Sequence, residues 1–208
     1  MAHVTTEDPS PPAPPLPAAR DRRHTGAFLV ILVAGVVGLL ASLELSIDAV
    51  RLAEDPLADL SCNISSTISC ATVGLSWQAN LLGFPNAFLG LITQPVMITI
   101  AVAALGGVRF PRWFMLGAHA GFTLGLAFAV WLFVQSYYVI GALCPYCMVL
   151  YVTTLAAFAA ITRINVLEGH LGAGTQRALE RPLRLGLDTA AVVVILAVVA
   201  SMMIYKYL

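Results

Sequence analysis

Four cysteines, Cys62, Cys70, Cys144 and Cys147, are the residues of this chain whose type and spacing suit chemistry. Cys144-Pro145-Tyr146-Cys147 is a C-x-x-C that opens an apolar stretch. Pro145 fits the first position of a helix, where its missing N–H has no intrahelical partner. Cys144 then falls near the N-cap and Cys147 in the first turn, and a spacing of three puts both sulfurs on one face. The partial positive charge of a helix N-terminus favours thiolate. That combination serves a reversible redox disulfide, with one thiol activated as nucleophile and the other close enough to resolve it. Cys62 and Cys70 enclose a polar, β-branched linker without glycine, Asn63 to Ser69, which suits a mobile segment closed by a disulfide. A mobile pair can visit both a soluble partner and a membrane-embedded pair, which is the work of a relay.

The elements that must hold these cysteines are membrane helices. Of 208 residues, 59% are apolar and 11% charged, with a mean hydropathy of +0.87; soluble chains carry about 25% charged residues. The formal net charge is zero and no basic patch has interleaved aromatics, so a nucleic-acid partner has no support. Five apolar stretches, at 26–47, 88–106, 113–140, 145–164 and 187–205, are long enough to span, which takes roughly 20 residues. The fold class is therefore all-α integral membrane, one domain over 26–208, with a long loop between the first two helices. Residues 1–25, with six prolines between Pro9 and Pro17 and then Arg20, Arg22 and Arg23, read as a disordered tail. The first apolar stretch lacks a small-residue cleavage site, so it reads as an uncleaved helix rather than a signal peptide.

Basic residues set the orientation. The tail side carries nine arginines, the three above with Arg109, Arg112, Arg163, Arg177, Arg181 and Arg184, against Arg51 and Lys206 opposite. The tail is thus expected in the cytoplasm and the C-terminus outside. All four cysteines then share the oxidising side of the membrane. Two structural disulfides, a four-cysteine zinc site and a thiol path for heavy metals are the competing readings. A C-x-x-C bridge closes too small a loop to stabilise much through chain entropy. The spacings and membrane-edge location do not suit a structural zinc. A metal path wants polar groups deeper in the bilayer, and the later stretches offer almost none.

Taken with Ser76, Gly83-Phe84-Pro85-Asn86-Ala87-Phe88-Leu89-Gly90 and Tyr151, the cysteine pattern resembles the bacterial form of the vitamin K epoxide reductase family over about residues 26–163. The resemblance implies a four-helix bundle around a quinone of menaquinone or ubiquinone type, in the inner (plasma) membrane, with the C-x-x-C beside the ring. Bacterial members oxidise a thioredoxin-fold partner of the DsbA type and pass the electrons to quinone. Many carry that partner as a fused C-terminal domain. This chain ends at Leu208, just after the fifth stretch, so a separate partner is expected. By the same resemblance Cys147 acts on the quinone, and Cys144 resolves it and exchanges with the loop pair. Cys70 attacks Cys144 and Cys62 meets the partner, although the order of Cys62 and Cys70 stays open. Running the same site towards quinol, or on vitamin K epoxide, is the alternative within the enzyme class.

Three further residues are expected at the cofactor. Tyr151, four residues after Cys147, shares its helix face; its phenol suits a quinone carbonyl, and an interfacial tyrosine is the plain alternative. Asn86 suits the second carbonyl, or else a helix cap. Ser76 steadies the site near the disulfide, or is a solvated loop serine. Trp77 and Phe84 read as half-buried interfacial anchors, with capping of the pocket as the alternative. Glu44 and Asp48 share a face at the outer end of the first stretch; they read as helix-end markers, with help in proton release as the alternative. His119 reads as a packed interhelical hydrogen-bonder. Asn63-Ile64-Ser65 fits a glycosylation acceptor pattern.

Overall fold

The computed structural model describes residues 22–207. Of the tail expected over 1–25, residues 1–21 lie outside them and the remainder opens the first helix. Helix α1 spans Arg22–Glu54, α2 Cys70–Gly74, α3 Ala87–Leu105, α4 Arg112–Gln135, α5 Pro145–Leu167, α6 Ala173–Arg184 and α7 Leu187–Tyr207. A 3-10 turn occupies Trp77–Asn80, and a π-helical turn, Ser136–Ile140, continues α4. Five of these helices are long and apolar enough to cross a membrane: α1, α3, α4 with its π turn, α5 and α7.

The first helix departs most from expectation. It runs to Glu54, about two turns past residue 47. Hydropathy reports only the apolar run, whereas Ala49, Arg51, Leu52, Ala53 and Glu54 are good helix formers that continue the turn beyond it. The stop comes at Asp55, because the residue before Pro56 is pushed out of the helical region. Helix α6 was not expected at all. It is too short and too charged to span, and it joins α5 to α7 with Arg181 and Arg184 in its last turn.

The bundle is built on α1, which packs against α3 and α5, while α4 packs against α5. Between membrane helices burial from water supplies little, so close backbone approach must supply the attraction. Small residues on α1 provide it. A Cβ on Gly35 would stand 2.9 Å from Cγ1 of Ile98 on α3, and one on Gly38 would stand 2.7 Å from Nε2 of Gln94. The reciprocal position on α3, Gly90, leaves room for the hydroxyl of Ser42, into which a Cβ would collide.

The two ends of the bundle differ. At the end that holds Arg112, the apolar core of Ile31, Ala101, Met115, Ile161 and Ile164 is fully enclosed. Asn165, buried beneath it, donates to the carbonyls of Ile161 (3.0 Å) and Met115 (3.4 Å) and pairs with Nδ1 of His170 at 3.0 Å. Arg112 donates to the His170 carbonyl, and one guanidinium nitrogen of Arg163 reaches both carboxylate oxygens of Asp188 at 2.8 Å, tying α5 to α7. At the other end, the helices splay around a cavity, and the cysteines close it.

Candidate active site

The C-x-x-C folds as its composition requires. Cys144 is the N-cap of α5 in an extended conformation and Pro145 is the first helical residue. The sulfur of Cys144 accepts from the Cys147 N–H at 3.4 Å. Cys144 is buried; its thiol is nevertheless held below the ordinary value, first by a hydrogen bond from the Cys147 side chain, then by the N–H groups of Cys147 and Tyr146, against the penalty of burial and, whenever Asp48 is ionised, its negative charge. The approach to this helix start is made by the π turn. It ends at Gly141, whose φ of 73° lies in the left-handed region that favours glycine. The chain then runs extended into Leu143, which sets a parallel bridge with Ile68.

That bridge docks the loop pair onto the helix pair. Leu143 donates to the Thr67 carbonyl at 2.8 Å and accepts from Ser69 at 2.9 Å. Cys62 and Cys70 form a disulfide, and the Cys70 sulfur lies 3.3 Å from that of Cys144. Cys144 and Cys147 are free thiols. The linker expected to be mobile is pinned in this state. Asn63 Oδ1 accepts from the Ser69 hydroxyl (3.0 Å) and the Ala71 N–H (3.1 Å), and Ser69 caps α2 by accepting from Thr72 at 3.1 Å. Its polar side chains, read as suiting a mobile segment, serve the loop's own backbone. The amide of Asn63, read as a glycan acceptor, is one of these braces. Leu52 and Leu60 pack over the sulfurs, and Cys62, Cys70 and Cys144 are all at most 5% exposed.

Beside the sulfurs lies a cavity of about 450 Å³, lined by residues of α1, α3, α4 and α5. This is the size range of a small-molecule site, and its wall is mostly apolar with a few polar points. Cys147 and Tyr151 line it from α5, Asn86 and Gln94 from α3, and Ser76 and Gln78 from the loop. Tyr151 is buried, its ring 5.6 Å from that of Phe133, and its hydroxyl meets no hydrogen-bonding partner among the described residues. Asn86 occupies the N-cap position of α3 without capping it. Its amide donates to the Gln78 carbonyl at 2.6 Å, and its Oδ1 is buried with no partner. Ser76 lines the cavity but donates to the Val73 carbonyl at 2.6 Å, so it also braces the loop.

An orphaned amide oxygen and an unpartnered phenol in one apolar chamber are costly unless something polar meets them. These two polar points, next to a free thiol, fit a flat, mostly apolar molecule with oxygens on its rim. A quinone is such a molecule.

Other expectations fare differently. Trp77 is 63% exposed and its ring meets the edge of Trp131 at 6.1 Å; among the described residues neither it nor Phe84 lines the cavity. Among the described residues His119 makes no interhelical hydrogen bond; Nδ1 is buried without a partner there and the ring lies 5.6 Å from that of Phe158. Packing on an aromatic ring replaces the polar contact. Glu44 is exposed on α1. Asp48 does not mark a helix end: α1 continues past it, the loop folds back over it, and its Oδ2 lies 3.6 Å from the Cys62 sulfur. Gln78 and Gln94, each buried on the cavity wall, were not singled out from the sequence. For Gln94 the signal available was a glutamine within an apolar helix, which membrane spans rarely tolerate without use; Gln78, in the 3-10 turn of the loop, carried none.

Comparison with known proteins agrees with this geometry. The profile of the vitamin K epoxide reductase family matches residues 29–162, a span that takes in all four cysteines, Asn86 and Tyr151 and ends before α6. No curated protein matches the chain.

Proposed function

The chain belongs to the vitamin K epoxide reductase family, whose members are quinone-associated membrane oxidoreductases, and from that premise we propose that it is a quinone-dependent thiol–disulfide oxidoreductase that reoxidises a separate DsbA-like thioredoxin-fold protein. The observation that carries this reading is the continuous contact from Cys62–Cys70 through the 3.3 Å approach of Cys70 to Cys144, and on to Cys147 at the cavity wall. The partner's dithiol reduces the loop disulfide. Cys70, as thiolate, then attacks Cys144 of an oxidised C-x-x-C and Cys147 leaves; Cys62 attacks Cys70 and Cys144 leaves. Each step is attack of a thiolate on a disulfide sulfur. The structure has the bonding of the state reached after that exchange: loop pair oxidised, helix pair reduced.

The polar points of the cavity support quinone as the second substrate. Tyr151 and Asn86 are the residues that would hold its oxygens, and Cys147 the thiol presented to it. When bound, a quinone supplies an acceptor for two electrons and two protons. The depressed pKa of Cys144 supports its part as leaving group towards Cys70, because a better thiolate leaves faster. We place the arginine-rich end in the cytoplasm and the cysteine end outside, where disulfide formation in exported proteins takes place.

The test is turnover of a reduced thioredoxin-fold protein by the purified chain in lipid discs, followed with menaquinone or ubiquinone as the only oxidant. Stoichiometric quinone reduction that disappears in each Cys→Ala variant is expected. Oxidation that proceeds without quinone, or full activity in Cys62→Ala, would overturn the reading.

A further inference from the structure

Asp48 is a carboxyl group at most 4% exposed, on the wall of a site that is otherwise apolar and sulfur. Among the described residues it has no ion pair, and its one hydrogen-bonding contact is Cys62, with Oδ2 3.6 Å from Sγ. Its carboxyl, Cys62 and Cys70 have their polar atoms all within 4.8 Å of one another. The donor count at that contact is informative. In a disulfide the Cys62 sulfur has no proton, so it can only accept. An ionised Asp48 would then be a buried acceptor facing an acceptor, the costliest arrangement available. A protonated Asp48 donates to the sulfur and is satisfied. Once the pair is reduced, the roles reverse: the Cys62 thiol becomes the donor and the ionised carboxylate the acceptor.

We infer that Asp48 carries the Cys62 proton whenever Cys62 is in the disulfide, and returns it when the disulfide is reduced. This rests on the relay proposed above and assigns the route of one proton within it. In the forward exchange, Cys62–SH gives its proton to the Asp48 carboxylate. The Cys62 thiolate attacks Cys70 of the Cys70–Cys144 mixed disulfide. The Cys62–Cys70 bond forms, the Cys70–Cys144 bond breaks, and Cys144 leaves as thiolate with the electron pair. Asp48 is by then neutral, so its charge no longer opposes that thiolate. When the partner's dithiol later reduces the loop pair, Cys62 leaves as thiolate and the Asp48 acid protonates it. No proton is gained or lost by the site over the cycle. The groups around Asp48 permit this exchange. On α1, Glu44 and Arg51 are its charged neighbours; the loop presents Cys62, α2 presents Cys70, and the start of α5 presents Cys144, Tyr146 and Cys147. Helix α3 has no titratable residue.

The experiment is the midpoint potential of the loop pair against pH, in the full chain with Cys144→Ser and Cys147→Ser so that no other disulfide forms. It is read by alkylation and mass spectrometry in dithiol buffers between about pH 6 and pH 8, where ordinary thiols stay protonated. Reduction of a plain disulfide takes two protons from solvent for two electrons, and the potential then falls by about 59 mV per pH unit. With Asp48 supplying one of them, the fall is about 30 mV per pH unit, a tenfold change in the equilibrium constant instead of a hundredfold. Asp48→Asn is expected to restore about 59 mV per pH unit and Asp48→Glu to keep about 30 mV per pH unit. A slope of about 59 mV per pH unit with Asp48 in place overturns the inference, whatever the variants do. Failure of the relay itself shows separately, as absent quinone-dependent turnover in the chain with all four cysteines.

Discussion

Tyr151 and Asn86 offer the cavity two unpartnered oxygens, and they do so with different structural commitments. The Tyr151 ring is packed against Phe133 in a buried cluster with Leu155 and Val199, and its hydroxyl is uncommitted among the described residues. Tyr151→Phe is therefore expected to lower quinone turnover about tenfold, the worth of one hydrogen bond, with an unchanged melting temperature in detergent. Asn86 also ties α3 to the loop through the Gln78 carbonyl. Asn86→Ala should cost turnover and about 1 kcal/mol of stability together, seen as a joint fall in quinone reduction and thermal midpoint. For Cys144 the sign comes from its depressed pKa: the thiolate persists to lower pH than a free cysteine's. The stability this contributes to the reduced protein is present above the ordinary thiol value and lost as pH falls through the site's own. Removing its principal hydrogen bond in Cys147→Ala should move the Cys144 titration upward, measured by thiolate ultraviolet absorbance. The helix start around Cys144 was legible because Pro145 and the spacing of three specify local structure. Asp48 was not, because its role comes from a loop that returns to it from elsewhere in the chain.

Helix α1 and the docked loop are the elements that decide the site, and their behaviour depends on contacts that hydropathy cannot report. The span count and the loop between the first two spans could be read from apolar run lengths. The extra turns of α1 could not, since Arg51 and Glu54 interrupt the apolar run there, and the Ile68–Leu143 bridge pairs segments with no common local signal. Packing of α1 on α3 depends on Gly90 leaving space for Ser42. Gly90→Ala alone should destabilise the fold by about 1–3 kcal/mol through overpacking. Pairing it with Ser42→Gly removes the opposing side chain, so most of that loss should be recovered in the double variant, a coupling that a thermodynamic cycle of melting curves will measure.

Across the whole molecule the family profile stops at residue 162, yet the site is supported by the helices beyond that point. Helix α7 brings Val199 against Tyr151, and Lys206 lies over the Tyr137 ring at 4.3 Å, beside the π turn that leads to Cys144. The Arg163–Asp188 pair fastens the other end of α7 to α5. Because both groups are partly exposed, Asp188→Asn is expected to cost only about 1 kcal/mol, read as a small drop in thermal midpoint, while thiol exchange between the loop pair and the helix pair continues.

The burial of three consecutive sulfurs beneath Leu52 and Leu60 gives the molecule a property of an insulated conductor. A bare strong oxidant at the membrane surface would strip electrons from every small thiol that diffused past. In the relay proposed above, the docked loop would sheathe the line, so current would be drawn only by a protein able to lift that cover and touch Cys62. On that reading selectivity for the donor would reside in access rather than in voltage, and the oxidising power of a quinone pool would not leak into the surrounding solution.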